Sequence, residues 1–353
     1  MFSNFSREFL VRFSEDYAQI HGRIVFPITI IGILTSIVTI LILNRKTFQT
    51  PTNLILQHVA FFDTIVLFSY NIYSFYFYIL HDPNPFVGQS QFWIRFAIFH
   101  SNIGVTAHSI ALWLTCLLAI IRYTIISKPK RVQINFTHVT ILIWIFAIIV
   151  CLLMIPSYFA WKTVYWISQV TGKGLEKISF GIIAICLKIS PVIILILFSV
   201  LLILNIRNAR KLRERLRHRY SSIKSSSNFK RELRTTTMLV LITLCTVFVE
   251  LPQGLLLIAI GFDKQFFVLY SHLGDFWDIS SIISSFITFI MYCLMSQQFR
   301  MEMISLLLPE FLIQKFHLST NRTSLSRQIS LKPMKSQNSP SNIPKTRDIP
   351  TDL

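Results

Sequence analysis

The sequence predicts an all-α membrane protein: a seven-transmembrane helix bundle with a short interfacial eighth helix and a disordered C-terminal tail. Three observations carry that expectation. Of the 353 residues, 53% are hydrophobic and only 14% charged, where soluble domains carry about 25% charged residues. Seven mainly apolar segments are each long enough to cross about 30 Å of hydrocarbon at about 1.5 Å per residue. The Lys and Arg residues behind the net charge of +18 are concentrated in alternate connectors.

The apolar segments run approximately over residues 24–43, 59–80, 96–121, 139–160, 178–206, 235–262 and 266–294. An odd number of crossings puts the two termini on opposite sides. With the N-terminus outside, the inner connectors hold two, four and eleven Lys or Arg and the tail eight. The outer side holds eight, and Lys188 alone lies within a span. The positive-inside rule then places the N-terminus outside the plasma membrane and the C-terminus in the cytoplasm. Basic charge arranged this way faces lipid headgroups, so no nucleic-acid partner is expected.

Four regions follow: an extracellular N-terminal segment (1–23), the seven-transmembrane domain (24–295), an amphipathic interfacial helix (296–309) and a disordered cytoplasmic tail (310–353). The third inner connector is basic and then Ser-rich, suited to anionic membrane lipids. Beyond the seventh span, Phe299, Met303 and Leu306 or Leu307 recur at helical spacing, as in a helix lying in the interface, and Pro309 ends it. The tail is rich in Ser, Thr, Pro and Lys, a composition that cannot bury a core. All five cysteines fall within apolar runs, so no disulfide framework is expected and each reads as a buried apolar thiol. Asn4-Phe5-Ser6 is an outer-side glycosylation acceptor. Asn135-Phe136-Thr137 and Asn321-Arg322-Thr323 match the pattern but face inward.

An ionisable group inside a bilayer costs at least about 2.5–3.5 kcal/mol, so the few that persist are functional candidates. They are Asp63 in span two, Lys188 in span five, Glu250 in span six, and Asp275 and Asp278 in span seven, with His100 and His108 in span three. His108, Lys188, Glu250 and Asp278 each lie about ten to twelve residues from the outer end of their span, roughly 15–18 Å deep. Together with Gln253, and with Asp275 one turn nearer the mouth, they are expected to line an outward-facing cavity. A simple ion pair between Lys188 and Glu250, acting as helix glue, is the rival reading. Asp63 lies near the inner end of its span, with Ser284, Ser285 and Thr288 as expected neighbours; it reads as part of a polar switch core or as a structural hydrogen-bonding group. Pro156, Pro191 and Pro252 each predict a kink, and Pro252 shares a turn with Glu250, a combination suited to a helix that swings.

The order of motifs resembles the rhodopsin-like G-protein-coupled receptors. More narrowly, it resembles the nematode class w serpentine chemoreceptors and the related myosuppressin and FMRFamide-like peptide receptors. The stretches that carry this begin with Tyr17, His21-Gly22 and Gly32, then Arg45-Lys46, Pro51-Thr52-Asn53 and Ala60-Phe61-Phe62-Asp63. Span three reads HSIALWLTCLLAIIRY, ending in Arg122-Tyr123; Trp144, Lys188 and Pro191 follow in order. Glu250-Leu251-Pro252-Gln253-Gly254 is similar to the family's replacement of the aromatic switch before the span-six proline. LGDFWD and TFIMYCLMSQQFR, with Tyr292 and Phe299-Arg300, are similar to its seventh span. The chain departs from the pattern at Ser36, Ala97, Ile121 and Thr288, and its outer loops lack the usual cysteines.

The resemblance implies a receptor, not an enzyme, with no cofactor or metal. It implies a peptide or small-molecule agonist, a small amidated neuropeptide in the narrower group, together with a heterotrimeric G protein as inner partner; the many tail Ser and Thr residues are expected to take phosphate and recruit arrestin. It also implies outward movement of span six above Arg122, with Asp63, Tyr123, Pro252, Thr288 and Tyr292 in the activation switch. Glu232 is about 30 Å along the helix from Pro252. It is expected to pair with Arg122 in place of the acid missing at position 121, a latch worth about 0–1 kcal/mol if exposed. The alternatives left open are a chemosensory receptor for small molecules, a membrane transporter and a non-signalling membrane protein. An intramembrane metallohydrolase is disfavoured because His100, His108 and His272 lack ligand spacing. The terminal Thr351-Asp352-Leu353 resembles a PDZ-domain ligand, an ending that chance produces often.

Overall fold

The computed structural model describes residues 4–80, 90–127, 135–166, 178–219, 227–263, 265–295 and 297–307. No strand occurs among them. The helices are α1 (Asn4–Leu43), α2 (Pro51–Ser74), α3 (Gln91–Ser127), α4 (Phe136–Trp166), α5 (Ser190–Arg219), α6 (Ser227–Phe262), α7 (Gln265–His272), α8 (Gly274–Met295) and α9 (Gln297–Leu307). Wide π turns cover Phe75–Leu80, beyond α2, and Ile183–Ile189, before α5. Six helices are long and apolar enough to cross a membrane, and α7 with α8 makes a seventh crossing if the bent pair is one span. The bundle belongs to the compact unit Met1–Met301. A second unit, Glu302–Leu353, is described only over residues 302–307, which are helical.

Packing follows the apolar faces. In the bundle α2 packs on α1 and α3, α3 on α4 and α5, α6 on α5 and α8, and α8 on α1, which closes the ring. Val25, Leu67, Tyr70 and Ile282 form one buried cluster between α1, α2 and α8. Leu112, Cys116, Ala119 and Leu195 form another between α3 and α5. The opposite faces, such as Ile148, Leu152, Ile155 and Phe159 of α4, are exposed, as required where lipid tails are the solvent. Cys151 lies on this exposed face, unlike the buried thiol expected of it. The packed wheel puts position 151 outward, and a thiol is apolar enough to meet lipid.

Four helix details differ from the sequence expectation. First, α1 starts at Asn4, so the segment before the first apolar run is helical and continuous with it. Phe9, Phe13, Tyr17 and His21 recur every fourth residue and stack successively, with ring centroids 6.5, 5.7 and 5.3 Å apart. Such i,i+4 pairs support a helix of mixed polarity. Pro27, inside α1, is a further intrahelical proline.

Second, α2 starts at Pro51, not near Val59. Thr50 Oγ1 accepts from the Asn53 backbone N–H at 3.2 Å, and proline is suited to the first helical position. Third, the seventh span is two helices meeting at Leu273 with a 53° bend. Fourth, a π turn precedes Pro191, where an ordinary kink was expected. Proline has no N–H to give to the preceding turn, and the Ser190 N–H instead bonds Ile185 O in the wide register.

At the far end of the seventh span, Arg300 donates to the carbonyls of Cys293 at 2.9 Å and Leu294 at 3.1 Å, which caps α8. Phe299 is fully buried between Phe48 and Phe289. The predicted tail, 310–353, lies outside the described residues.

Candidate functional site

A cavity of about 410 Å³ opens between α2, α3, the π turn before α5, α6 and the seventh span. Its lining includes His108, Lys188, Gln253 and Asp278 from the predicted set. Tyr70, Tyr73, His100 and Tyr270 also line it, although sequence reasoning gave them no such role. The three- and four-residue spacing of Tyr70, Tyr73 and Phe77 was the available signal, since it puts rings on one helix face.

One wall is ionic. Glu250 is 1% exposed. Its two oxygens are taken by different helices: His108 Nε2–H donates to Oε1 at 2.7 Å and Lys188 Nζ to Oε2 at 2.6 Å. Lys188 Nζ also donates to Gln253 Oε1 at 3.0 Å, and Tyr270 lies beside Gln253.

Local structure makes this meeting possible. The π turn carries Lys188 on the bundle side, where it is buried. Gly254 lets α6 approach that turn: a Cβ there would lie 2.8 Å from Ile189 Cδ1 and 3.4 Å from Lys188 Cβ. Pro252, in the same turn of α6, points outward and is exposed. The ion pair and the cavity were posed as rivals, yet they coexist, because Lys188 and Gln253 are at once paired and part of the lining.

The facing wall is aromatic. Tyr73 stacks on His100 with centroids 4.6 Å apart, and Tyr70 meets the same imidazole edge-on at 5.3 Å. Ser69 Oγ lies 3.1 Å from His100 Nδ1. The Tyr70 hydroxyl is 2.8 Å from the buried His21 Nε2, and Tyr70 lies beside Asp278. Asp278 is exposed and lines the cavity.

Asp275 is placed elsewhere. It accepts from the Tyr78 hydroxyl at 2.6 Å and does not line the cavity. Tyr78 sits on the π turn beyond α2 and packs directly over Gly22, whose missing side chain leaves room for the ring. Tyr17, one turn before the membrane-spanning part of α1, has its phenol pushed above the usual range by burial, with Asp275 and Asp278 adding to the shift.

The predicted switch residues are not gathered at this cavity. Asp63 is buried in α2 and lies near Ser285, one of its expected neighbours. Thr288 is half-buried on α8. Arg122 lines a small interstice between α3, α5 and α6 with Ser199 and Thr243, and Tyr123 packs edge-on against Phe198 at 5.7 Å. Nearby, Asn205 Nδ2 donates to Ser127 Oγ at 2.5 Å, joining α5 to α3. The side chains of Asn4, Glu232 and Tyr292 lie outside the described residues, and the Arg122–Glu232 latch with them. No cluster of His, Cys, Asp and Glu among the described residues has metal-binding geometry.

The matches to known proteins run the length of this bundle. Residues 23–173 and 162–309 match the family described as serpentine type 7TM GPCR chemoreceptor Srw. The G-protein coupled receptor dmsr-1 of Caenorhabditis elegans is 28% identical, over 83% of this chain and 69% of its own length. The sex peptide receptor of Drosophila melanogaster is 23% identical, over 85% and 75%. Sex peptide receptor-related protein 2 of Caenorhabditis elegans is 27% identical, over 85% and 74%. With six helices long and apolar enough to cross a membrane, and a bent pair that can make a seventh crossing, around a polar cavity, and with a family match over residues 23–309, the chain is a multi-pass membrane protein and belongs to the Srw family of G-protein-coupled receptors.

Proposed function

We propose that this receptor binds a small amidated neuropeptide in the cavity and activates a heterotrimeric G protein through movement of α6. The observation that carries the reading is the Glu250 network. It ties α3, the π turn before α5 and α6 together at the cavity wall, in the same turn as Pro252, so a ligand touching Lys188 or Gln253 acts directly on the helix that moves. A ligand shifts such an equilibrium only by binding one arrangement better, and reversing a 1:99 ratio takes about 5.5 kcal/mol.

Charge favours an amidated over a free C-terminus. Lys188 and Glu250 neutralise one another, which leaves the charge of Asp278 on the cavity surface. A ligand carboxylate would meet that field without a spare cation among the described lining residues. Two of the relatives are named for a sex peptide, which agrees with this reading.

In the same proposal the N-terminus is extracellular, glycosylated at Asn4, and the receptor sits in the plasma membrane. Its C-terminal tail is cytoplasmic and recruits arrestin once phosphorylated, and the basic third inner connector rests on anionic lipid. At rest, Arg122 pairs with Glu232. A second reading, a chemosensory receptor for small molecules, is favoured by the cavity volume, which lies in the lower part of the range of about 300–1,000 Å³ for small-ligand sites.

The test is expression in cells with promiscuous G-protein and arrestin reporters, screened against amidated peptides, their free acids and small odorants. The expected result is activation by an amidated peptide at least about tenfold more potent than its acid, a difference of about 1.4 kcal/mol. Responses confined to odorants would establish the second reading. In the same assay Glu232→Ala raises basal signalling, and no change would remove the latch.

A further inference from the structure

Three carboxylates lie near the cavity, and their surroundings sort them. Glu250 has a partner on each oxygen and is buried. Asp275 is engaged by Tyr78 and lies off the cavity. Asp278 alone among the described lining residues offers an exposed carboxylate to the interior.

Its position is set by neighbours. Tyr70 stands between the buried His21 and Asp278. The Tyr70 hydroxyl is 2.8 Å from His21 Nε2, and the ring lies beside the carboxylate. Around the same space, Tyr70, Tyr73 and His100 pack ring against ring. Aromatic faces and a carboxylate around one space form an environment for a cation, because ring quadrupole and charge attract it together and both act more strongly away from bulk water.

We propose that Asp278, with the rings of Tyr70, Tyr73 and His100, forms a cation subsite that takes the guanidinium or ammonium group of the ligand. The Lys188–Gln253 wall is left to its neutral amide end. Glu250 and Asp275 take no part in holding the cation, and His21 is a positioning residue that acts through Tyr70. The proposal rests on the cavity being the ligand site, but its recognition chemistry is independent of whether a G protein follows.

The test uses the purified full-length receptor in detergent and two neutral-ended probes, N-acetyl-argininamide and its isosteric but uncharged citrulline counterpart. Binding is read by calorimetry. The wild type is expected to bind the arginine probe about tenfold more tightly than the citrulline probe. Asp278→Asn brings the ratio close to one, Asp278→Glu and Asp275→Asn keep most of it, and Tyr73→Leu lowers it about threefold.

An unchanged ratio in Asp278→Asn overturns the proposal. So does a wild-type ratio near one, or binding of neither probe at about 10 mM. If Asp278→Asn does not fold, Tyr73→Leu decides, and an undiminished ratio there also overturns it. A receptor that makes the discrimination yet activates no G protein in the reporter cells keeps the subsite and refutes the activation reading. The reverse pattern refutes the subsite alone.

Discussion

The two walls of the cavity hold the same kinds of side chain to opposite ends. On the α3–α5–α6 side, Glu250 is buried and each of its oxygens has a partner. On the α2–α8 side, Asp278 is exposed, with Tyr70 beside it. A carboxylate whose partners come from the protein has little left for a ligand, and its removal strands those partners. A carboxylate with open space in front is cheap for the fold and available for recognition. Place along the span does not separate the two, since Glu250 and Asp278 lie about equally far from the connector between α6 and α7; saturation of their oxygens does.

The largest expected effect breaks the ionic wall. Lys188→Met leaves Glu250 buried without its cation, and thermal unfolding of the purified receptor should show a loss of about 3–5 kcal/mol. Replacing both partners, Lys188→Met with Glu250→Gln, should recover most of it, because no charge is then left unpaired. If the double variant is no more stable than Lys188→Met, the wall is not held by charge pairing.

The next effect concerns how the wall is assembled. Gly254→Ala places a methyl group 2.8 Å from Ile189 Cδ1. The side chain or the helix must shift, at a cost of about 1–3 kcal/mol in the same measurement. Ile189→Val removes that methyl carbon and should restore part of the loss; an additive double variant would argue against the close approach.

A smaller effect sharpens the aromatic side. Ser14 Oγ lies 2.8 Å from His272 Nδ1 and joins the start of α1 to α7. Ser14→Ala should cost about 1 kcal/mol or less, seen as faster hydrogen exchange over residues 4–20 with the rest of α1 unchanged. Exchange in that stretch as slow as in the wild type would mean that the aromatic ladder alone holds it. The smallest effect is on the exposed acid: Asp278→Asn should change stability by no more than about 0.5 kcal/mol. A loss of several kcal/mol would mean that Asp278 is as saturated as Glu250, and the contrast between the walls would collapse.

Much of this was legible before any coordinates. The apolar runs, the few charges within them and the biased distribution of Lys and Arg predict a seven-crossing bundle, since lipid leaves the chain few ways to satisfy its backbone. His108, Lys188, Gln253 and Asp278 were identifiable because each is expensive in hydrocarbon. The start of α2 was readable from Thr50-Pro51, but the polar residues Gln57 and His58 obscured it.

What the sequence could not decide was how each charge is spent. Whether Glu250 faces Lys188 or the cavity depends on the rotation added by the π turn at Ile183–Ile189 and on the closeness that Gly254 allows. Whether Asp275 or Asp278 faces inward depends on the 53° bend at Leu273. Tyr70, Tyr73 and His100 are unremarkable in a chain with 14% aromatic residues, and only packing puts them around one space. Composition and periodicity determine which residues must be shielded from lipid. The partner each one meets is a long-range matter of helix rotation and approach, and only the tertiary structure settles it.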